Sequence, residues 1–249
     1  MKVIMNADDF GFSKGVNLGI CEAFMRGVVS STSLMVNMPG FEHAVELMRT
    51  YPNALKVGIH LVTSVEYSIV KGLKTVTDEN GHFYHDHDKI KNIDLEELKQ
   101  EYEAQLQKFL ATGFKPTHID FHWCYYPVQL EAAMYLSKKY DIPVRAETKE
   151  IEDLLEKHHI IHNRNMQHNF YQMDASQTPE MLISQLQYCL DQGYDLCSFE
   201  LHPAYVDQDV FNLSSYNYQR AKEFYVLTHP DVVKFFKDNN IERISFADL

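Results

Sequence analysis

The sequence lacks any apolar run long enough to cross a membrane, and it has little glycine or proline. Its 249 residues include 10 Gly and 8 Pro, against 15 Phe and 15 Tyr. A membrane-spanning helix needs about 20 consecutive apolar residues, and disordered chains are poor in aromatic residues. With 45% apolar residues the chain can bury a sizeable core. We therefore expect a folded protein that does not enter a membrane.

Basic residues are also scarce. Lys and Arg number 23 against 35 Asp and Glu, which gives a formal net charge of -12 at pH 7. Nucleic acids and anionic lipids are bound through cationic side chains, so this charge argues against both and favours a neutral or cationic partner. Part of the acidic charge is predicted to lie on the solvated face of a helix, at Glu96, Glu97, Glu101 and Glu103.

Cysteine is rare and has no metal-binding spacing. The chain contains no Cys-x-x-Cys pair, and its cysteines are Cys21, Cys124, Cys189 and Cys197. Buried, reduced thiols are the simplest interpretation. The short apolar run near the first residue ends in acidic residues, unlike the core of a signal peptide. Both features lead us to expect a cytoplasmic protein.

Short apolar runs typical of strands alternate with longer stretches of helical period. The predicted strands cover residues 2–6, 32–37, 55–61, 115–121, 142–145, 195–201 and 241–246, and the predicted helices cover 14–26, 41–49, 95–112, 127–139, 179–190, 216–227 and 230–239. This alternation implies a parallel sheet with right-handed crossovers. About seven such units favour a distorted (β/α) TIM-like barrel over an open sheet. No repeat or linker marks a boundary, so one domain is predicted over residues 1–249.

Residues 62–94 and 146–175 interrupt this alternation. The first segment contains the turn signal Asn80-Gly81 and is predicted to be a long loop that includes a hairpin. Its histidines, within residues 82–87, are expected on the surface, with substrate contact at the barrel mouth as the alternative. The histidines within residues 158–168 are expected in a solvated helix end and loop, with a metal-binding tract as the alternative.

Polar side chains stand at the carboxyl ends of five predicted strands. They are Asp8 and Asp9, His60, Asp120 and His122, Arg145, and Glu200 and His202. In parallel α/β folds the loops at these ends build the active site, so we expect the side chains to converge at one mouth. Imidazoles and carboxylates together suit a divalent metal.

Asp8 and Asp9 are adjacent, although successive side chains of a strand point to opposite faces. Both can serve one site only if the strand has already ended and the chain is turning, which Gly11 would permit. One carboxylate could then bind the metal while the other handles protons. The alternative is a turn followed by a helix cap.

The spacing His118-x-Asp120-x-His122 places three polar side chains on one face of a strand. Buried polar groups on an inner face are costly unless they are used, so this pattern favours a site. His60 taken alone would more often be a core imidazole that bonds the backbone.

Four stretches resemble the YdjC/ChbG family of carbohydrate deacetylases, and they occur in the same order. They are NADDFGFSKG at 6–15, GIHL at 58–61, PTHIDFH at 116–122 and ELHP at 200–203. The resemblance spans most of the chain. It implies a distorted (β/α) barrel that uses a divalent metal, commonly magnesium, to remove N-acetyl groups from oligosaccharides such as chitobiose-type sugars. Dimers are common among similar proteins, so a homodimer is left open.

The same resemblance implies roles for individual residues. Asp9, His60 and His122 would hold the metal. Asp8 would activate water, and His202 would protonate the leaving amine. Arg145 would orient Asp8 or line the pocket. Similar proteins carry further histidines after the THxDxH stretch, whereas this chain has Trp123, which would either stack on a sugar face or pack in the wall.

The sequence leaves more than one possible metal and more than one possible reaction. Two imidazoles and one carboxylate suit Zn²⁺ better than Mg²⁺, which prefers oxygen ligands, whereas the resemblance implies Mg²⁺. A phosphoesterase would call for clustered Arg and Lys, and only Arg145 and Lys14 are expected near the mouth. A non-catalytic sugar-binding protein would be expected to lack Asp8 or His202, and both are present.

Overall fold

Parallel strands form the centre of the protein. The computed structural model describes residues 1–52, 55–123 and 125–249. The strands are β1 (Lys2–Phe10), β2 (Ser31–Leu34), β3 (Val57–Leu61), β4 (Ile119–Phe121), β5 (Met166–Gln167), β6 (Leu196–Leu201) and β7 (Glu242–Ile244). They pair in the order β4-β3-β2-β1-β6-β5, and β7 pairs with the beginning of β1. These pairings are all parallel.

The sheet curls so that its two edges are linked. Val144 forms one parallel bridge with Ile119 of β4 and another with His162, just before β5. The segment that carries β5 therefore continues the sheet from β4 round to β6. The result is a distorted (β/α) barrel, which confirms the predicted fold class.

Helices surround the strands and bury their apolar faces against them. They are α1 (Lys14–Arg26), α2 (Phe41–Thr50), α3 (His87–Lys91), α4 (Leu95–Leu110), α5 (Pro127–Tyr140), α6 (Lys149–Lys157), α7 (Pro179–Asp191), α8 (Gln208–Leu213), α9 (Tyr218–Leu227) and α10 (Pro230–Asp238), followed by a 3-10 helix at Phe246–Asp248. Each predicted helix is confirmed to within two residues at its ends. The short helices α3, α6 and α8 were not predicted.

Several predicted strands are shorter than expected, and two of these contain proline. The strand expected at 115–121 begins only at Ile119, after Pro116. The strand expected at 142–145, which includes Pro143, pairs only through Val144. Proline has no N–H to donate to a ladder, which accounts for the loss of regular pairing in both places.

The long loop at 62–94 is fixed to helix α4 by the carboxylates of Glu101 and Glu97. Glu101 is fully buried and accepts hydrogen bonds from the backbone N–H groups of Ile69 and Val70, at 2.8–3.1 Å. Glu97 does the same for Lys74 and Thr75. The prediction of a solvated acidic face is therefore wrong for Glu101, because this carboxylate replaces water as the acceptor for loop amides.

We expect Glu101→Ala to lower the free energy of unfolding by about 3 kcal/mol, because it leaves buried amide donors without an acceptor. Urea unfolding would measure the change. Glu96→Ala, on the exposed side of the same helix, is the matched control and should change stability by less than about 0.5 kcal/mol. Equal effects of the two substitutions would contradict this account of the loop.

In the described part of the chain, no helix is both long and apolar enough to span a bilayer. Cys21, Cys189 and Cys197 are buried free thiols, as predicted. Cys124 lies outside the described residues.

Candidate metal-binding active site

Asp8 and Asp9 lie inside β1, which corrects the expectation that the strand ends before them. The pairing of β1 with β2 shifts register between Ala7 and Phe10, and Asp9 has a φ of 69°. A bulge with one residue in the left-handed region redirects side chains that would otherwise alternate. Both carboxylates are buried, at 1% and 0% exposure. The bulge lets adjacent acids serve one site without ending the strand.

Asp9 meets the two histidines that were expected beside it. Its Oδ1 lies 3.3 Å from Nε2 of His60 and 3.1 Å from Nδ1 of His122. The two imidazole rings are 5.6 Å apart at a steep angle of 69°. One ligand atom from each residue lies within 4.8 Å of the others. The structure therefore brings together an acid of the first strand and the imidazoles that end β3 and follow β4.

The second ring nitrogen of His60 also has polar partners, on Asp120 and Ser33. Its Nδ1 lies 3.1 Å from Oδ2 of Asp120 and 3.1 Å from the hydroxyl of Ser33. Burial opposes a charge on His60, but the carboxylates of Asp120, Asp9 and Asp8 together outweigh burial and raise the pKa of the imidazole to about 10. A carboxylate behind a histidine fixes the ring and leaves the other nitrogen for a metal.

Arg220 of α9 holds the second oxygen of Asp9, and sequence reasoning missed it. Its Nη2 donates to Oδ2 of Asp9 at 2.7 Å, and its Nε donates to the carbonyl of Tyr216 at 2.6 Å. Burial alone would raise the pKa of Asp9, but Arg220 and His122 hold it well below the usual range. Asp9 is thus an ionised carboxylate whose Oδ1 faces His60 and His122.

Asp8 is held in a second buried network by Arg145. The guanidinium Nη1 donates to both oxygens of Asp8, at 2.8 and 2.7 Å, and to Oδ2 of Asp120 at 2.7 Å. Asn6 adds a donor to Oδ1 of Asp8 at 2.7 Å. Burial raises the pKa of Asp8 well above its usual range, although Arg145 opposes this. A buried carboxylate with a raised pKa is a candidate proton acceptor.

His202 lies across the mouth at the end of β6, beside Glu200. Its Nε2 is 3.7 Å from Oε1 of Glu200, and its Nδ1 has no hydrogen-bond partner among the described residues. Burial lowers the pKa of this imidazole to about 4. Asp8, Glu200 and His202 also offer ligand atoms within 4.8 Å of one another. The expected acid from the late strand therefore faces the expected base from the first.

His168, which was expected in a solvated loop, is 45% exposed and lies on this side of the mouth. Its Nδ1 is 3.5 Å from a carboxylate oxygen of both Glu147 and Glu200. The hydrogen bond to Glu200 is the main reason that the pKa of His168 rises to about 9. His158 and His159 follow the end of α6, as predicted.

His118 faces the same barrel interior as Asp120 but lies away from the cluster of Asp9, His60 and His122. Its ring stacks on Phe246 of the 3-10 helix at 3.8 Å, and a side chain at Gly58 would collide with it. Burial lowers the pKa of His118 to about 3, so the imidazole is neutral. Strand alternation predicted the face on which His118 lies, but His118 lies deeper in the barrel than Asp120 does.

Trp123 lies at the rim, 42% exposed, with a φ of 75°. Its ring stacks with His85 at 4.2 Å and contacts His87 at 4.3 Å. The 62–94 loop therefore reaches the barrel mouth through the histidines whose role was open. These contacts cover part of the ring that a sugar would need.

The residues present fit a divalent cation. Two imidazole nitrogens and one carboxylate oxygen converge, which is the usual number of protein ligands at a catalytic metal with an open position. Among the described residues of the buried network, carboxylates outnumber guanidinium groups. Burial, with added repulsion from the Asp120 and Glu200 carboxylates, raises the pKa values of Asp8 and Glu147. This surplus of negative charge favours a bound cation.

Comparisons with known proteins agree with this architecture. A carbohydrate deacetylase of Clostridium beijerinckii is 39% identical, with 100% of both chains covered. A crystal structure from Enterococcus faecalis V583, of a protein proposed to cleave cellobiose phosphate, is 30% identical with a TM-score of 0.92, covering 99% of this chain and 98% of that one.

A family 4 acetyl xylan esterase of Clostridium thermocellum, solved with a cobalt ion, shares the fold alone. Its TM-score is 0.54 at 9% identity, with 100% of this chain and 89% of that one covered. The family model described as YdjC-like protein matches residues 2–238. The chain belongs to the YdjC-like protein family.

Proposed function

We propose that this protein is a metal-dependent hydrolase that removes N-acetyl groups from amino-sugar oligosaccharides of the chitobiose type. The observation that carries the proposal is the convergence of Asp9, His60 and His122, with ligand atoms within 4.8 Å of one another. The full-length relative named carbohydrate deacetylase supports the substrate class.

Asp9, His60 and His122 would hold the metal. Nitrogen-rich ligands favour Zn²⁺ or another transition ion, and Mg²⁺ would be the oxygen-preferring alternative. When bound, the ion would polarise the amide carbonyl and make the attacking water more acidic. Arg220 keeps Asp9 ionised, and Asp120 keeps His60 oriented.

Asp8 is proposed to take the proton from the attacking water. Its Oδ1 accepts hydrogen bonds from both Asn6 and Arg145, whereas the one donor to Oδ2 within the described part of the chain is Arg145. Oδ2 therefore retains more lone-pair capacity for a water molecule. A pKa raised by burial brings the carboxylate closer to that of an effective base at neutral pH.

His202 is proposed to deliver a proton to the departing nitrogen. An amide does not expel its nitrogen as an anion, so this proton is needed for the C–N bond to break. Burial lowers the pKa of His202 to about 4, so the resting imidazole is neutral and would receive the proton that Asp8 takes from the water before passing it to the nitrogen. Ligand atoms of Asp8 and His202 lie within 4.8 Å of each other. Glu200, 3.7 Å away, supplies the negative charge that stabilises the transient imidazolium.

The buried cations argue against a phosphoesterase. Arg145 and Arg220 are 1% and 2% exposed, and both already bind carboxylates. A phosphate would need free guanidinium or ammonium groups. The site retains both the proposed base and the proposed acid, which argues against a protein that binds sugar without catalysis.

The test is acetate release. Protein treated with a chelator and reloaded with Zn²⁺, Co²⁺ or Mg²⁺ is expected to release acetate from N,N'-diacetylchitobiose. Chelated protein should release none, and the most active ion would decide between the two metal assignments. Absence of acetate with every ion, across N-acetylated di- and oligosaccharides, would contradict the proposed function.

A further inference from the structure

Tyr171 presents an exposed aromatic face beside the proposed proton donor. Its ring is 40% exposed and stacks on Tyr216, with centroids 4.4 Å apart and an angle of 16°. The same ring makes a T-shaped contact with the His202 ring, with centroids 5.6 Å apart. Tyr216 covers one face of the Tyr171 ring, so the exposed surface of Tyr171 is the remainder of that ring.

The ring behind Tyr171 is fixed. Tyr216 is 5% exposed, its hydroxyl donates to the buried carboxylate of Glu223, and it accepts from Nε2 of Gln177 at 2.7 Å. Glu223 also accepts from the backbone N–H of His202. One carboxylate therefore ties the backing ring to the strand end that carries His202, which sets the position of the platform relative to that imidazole.

Polar groups flank the exposed ring. The backbone N–H of Tyr171 donates to the carbonyl of His168 at 3.2 Å. The side chains of His168 and Glu200 are 45% and 25% exposed, and they approach each other to 3.5 Å. Carbohydrate pockets need an apolar face for the ring C–H groups and a few polar groups for hydroxyls. Both kinds of surface are present here.

We propose that Tyr171 is the stacking platform for the pyranose ring that carries the acetamide, and that Glu200 and His168 bind the hydroxyls of that ring. This inference rests on the proposed function, because it places the reacting nitrogen next to His202. The aromatic contact of Tyr171 with His202 puts the platform at that position. Trp123 is the weaker candidate, since its ring contacts His85 and His87 of the 62–94 loop, whereas Tyr171 contacts the proposed proton donor.

The experiment compares Tyr171→Ala, Tyr171→Phe and Tyr188→Ala in the metal-loaded protein. Tyr188 is a 50% exposed tyrosine of α7 and serves as the matched control. For N,N'-diacetylchitobiose, Tyr171→Ala is expected to raise KM about tenfold and to change kcat by less than about threefold. Tyr171→Phe and Tyr188→Ala should stay within about twofold of the wild type, because both keep the Tyr171 ring face.

Calorimetric titration of the same disaccharide separates this inference from the proposed function. The wild type and the Tyr171 variants would be titrated after chelation, where no turnover is expected. An approximately tenfold weaker Kd for Tyr171→Ala supports the platform even if the wild type releases no acetate. Unchanged KM and Kd would overturn it, and so would a loss of kcat alone, which would indicate an effect on His202. A wild type that neither binds nor cleaves the disaccharide would overturn both proposals.

Discussion

Asp8→Asn is expected to lower kcat for acetate release by about a thousandfold, within the range for loss of a general base. The amide keeps the shape of the carboxylate but cannot take the proton from water. Metal binding should stay within about threefold of the wild type, because Asp8 is not among the three proposed ligands. Acetate assays and calorimetric titration with Zn²⁺ would measure the two quantities on one preparation.

The fold should survive this substitution. Arg145 loses one partner but keeps Asp120 and Glu147, so the buried guanidinium stays paired. Asp88→Asn, on the exposed α3, is the matched control and should retain full activity. Full activity of Asp8→Asn would mean that another group takes the proton. Loss of metal binding together with activity would make Asp8 a ligand rather than the base.

Much of this site could be predicted because parallel strands place their carboxyl ends at one mouth. His60, Asp120, Arg145 and His202 were identified from strand ends alone, and the structure gathers them around Asp8 and Asp9. Only the end of each strand decides which side chains meet at the mouth, so errors in where strands begin did no harm. The end of β1 was wrongly predicted, because a bulge is a backbone event that alternation of residue types does not encode.

Glu101 was assigned to a solvated helix face, and Arg220 and Glu223 were given no role in the site. Each lies at helical spacing from buried apolar residues of its own helix. Arg220 and Glu223 share a face with Leu227 in α9, and Glu101 shares one with Leu98 in α4. A charged residue in register with an apolar stripe is therefore the available signal for a buried partner. His168 and Glu147 lie outside regular strands, and no periodic pattern could have placed them.

His122→Ala is expected to weaken binding of Zn²⁺ at least about a hundredfold and to abolish acetate release, because removing one of three protein ligands leaves an incomplete metal site. His122 is the better probe of the cluster than His60. Its side chain is 17% exposed and, among the described residues, hydrogen-bonds Asp9 alone, whereas the imidazole of His60 is buried and also contacts Asp120 and Ser33. His60→Ala should lose the metal too, with an additional loss of stability.

Metal content after dialysis and calorimetric titration would measure binding without relying on turnover. His158→Ala, beyond the end of α6, is the histidine control and should bind one equivalent as the wild type does. Thermal unfolding of each variant separates lost ligands from lost structure. If a folded His122→Ala protein still bound one equivalent of metal with unchanged affinity, the ion would lie elsewhere. Asp8, Glu200 and His202, which also offer converging ligand atoms, would then be the site to test.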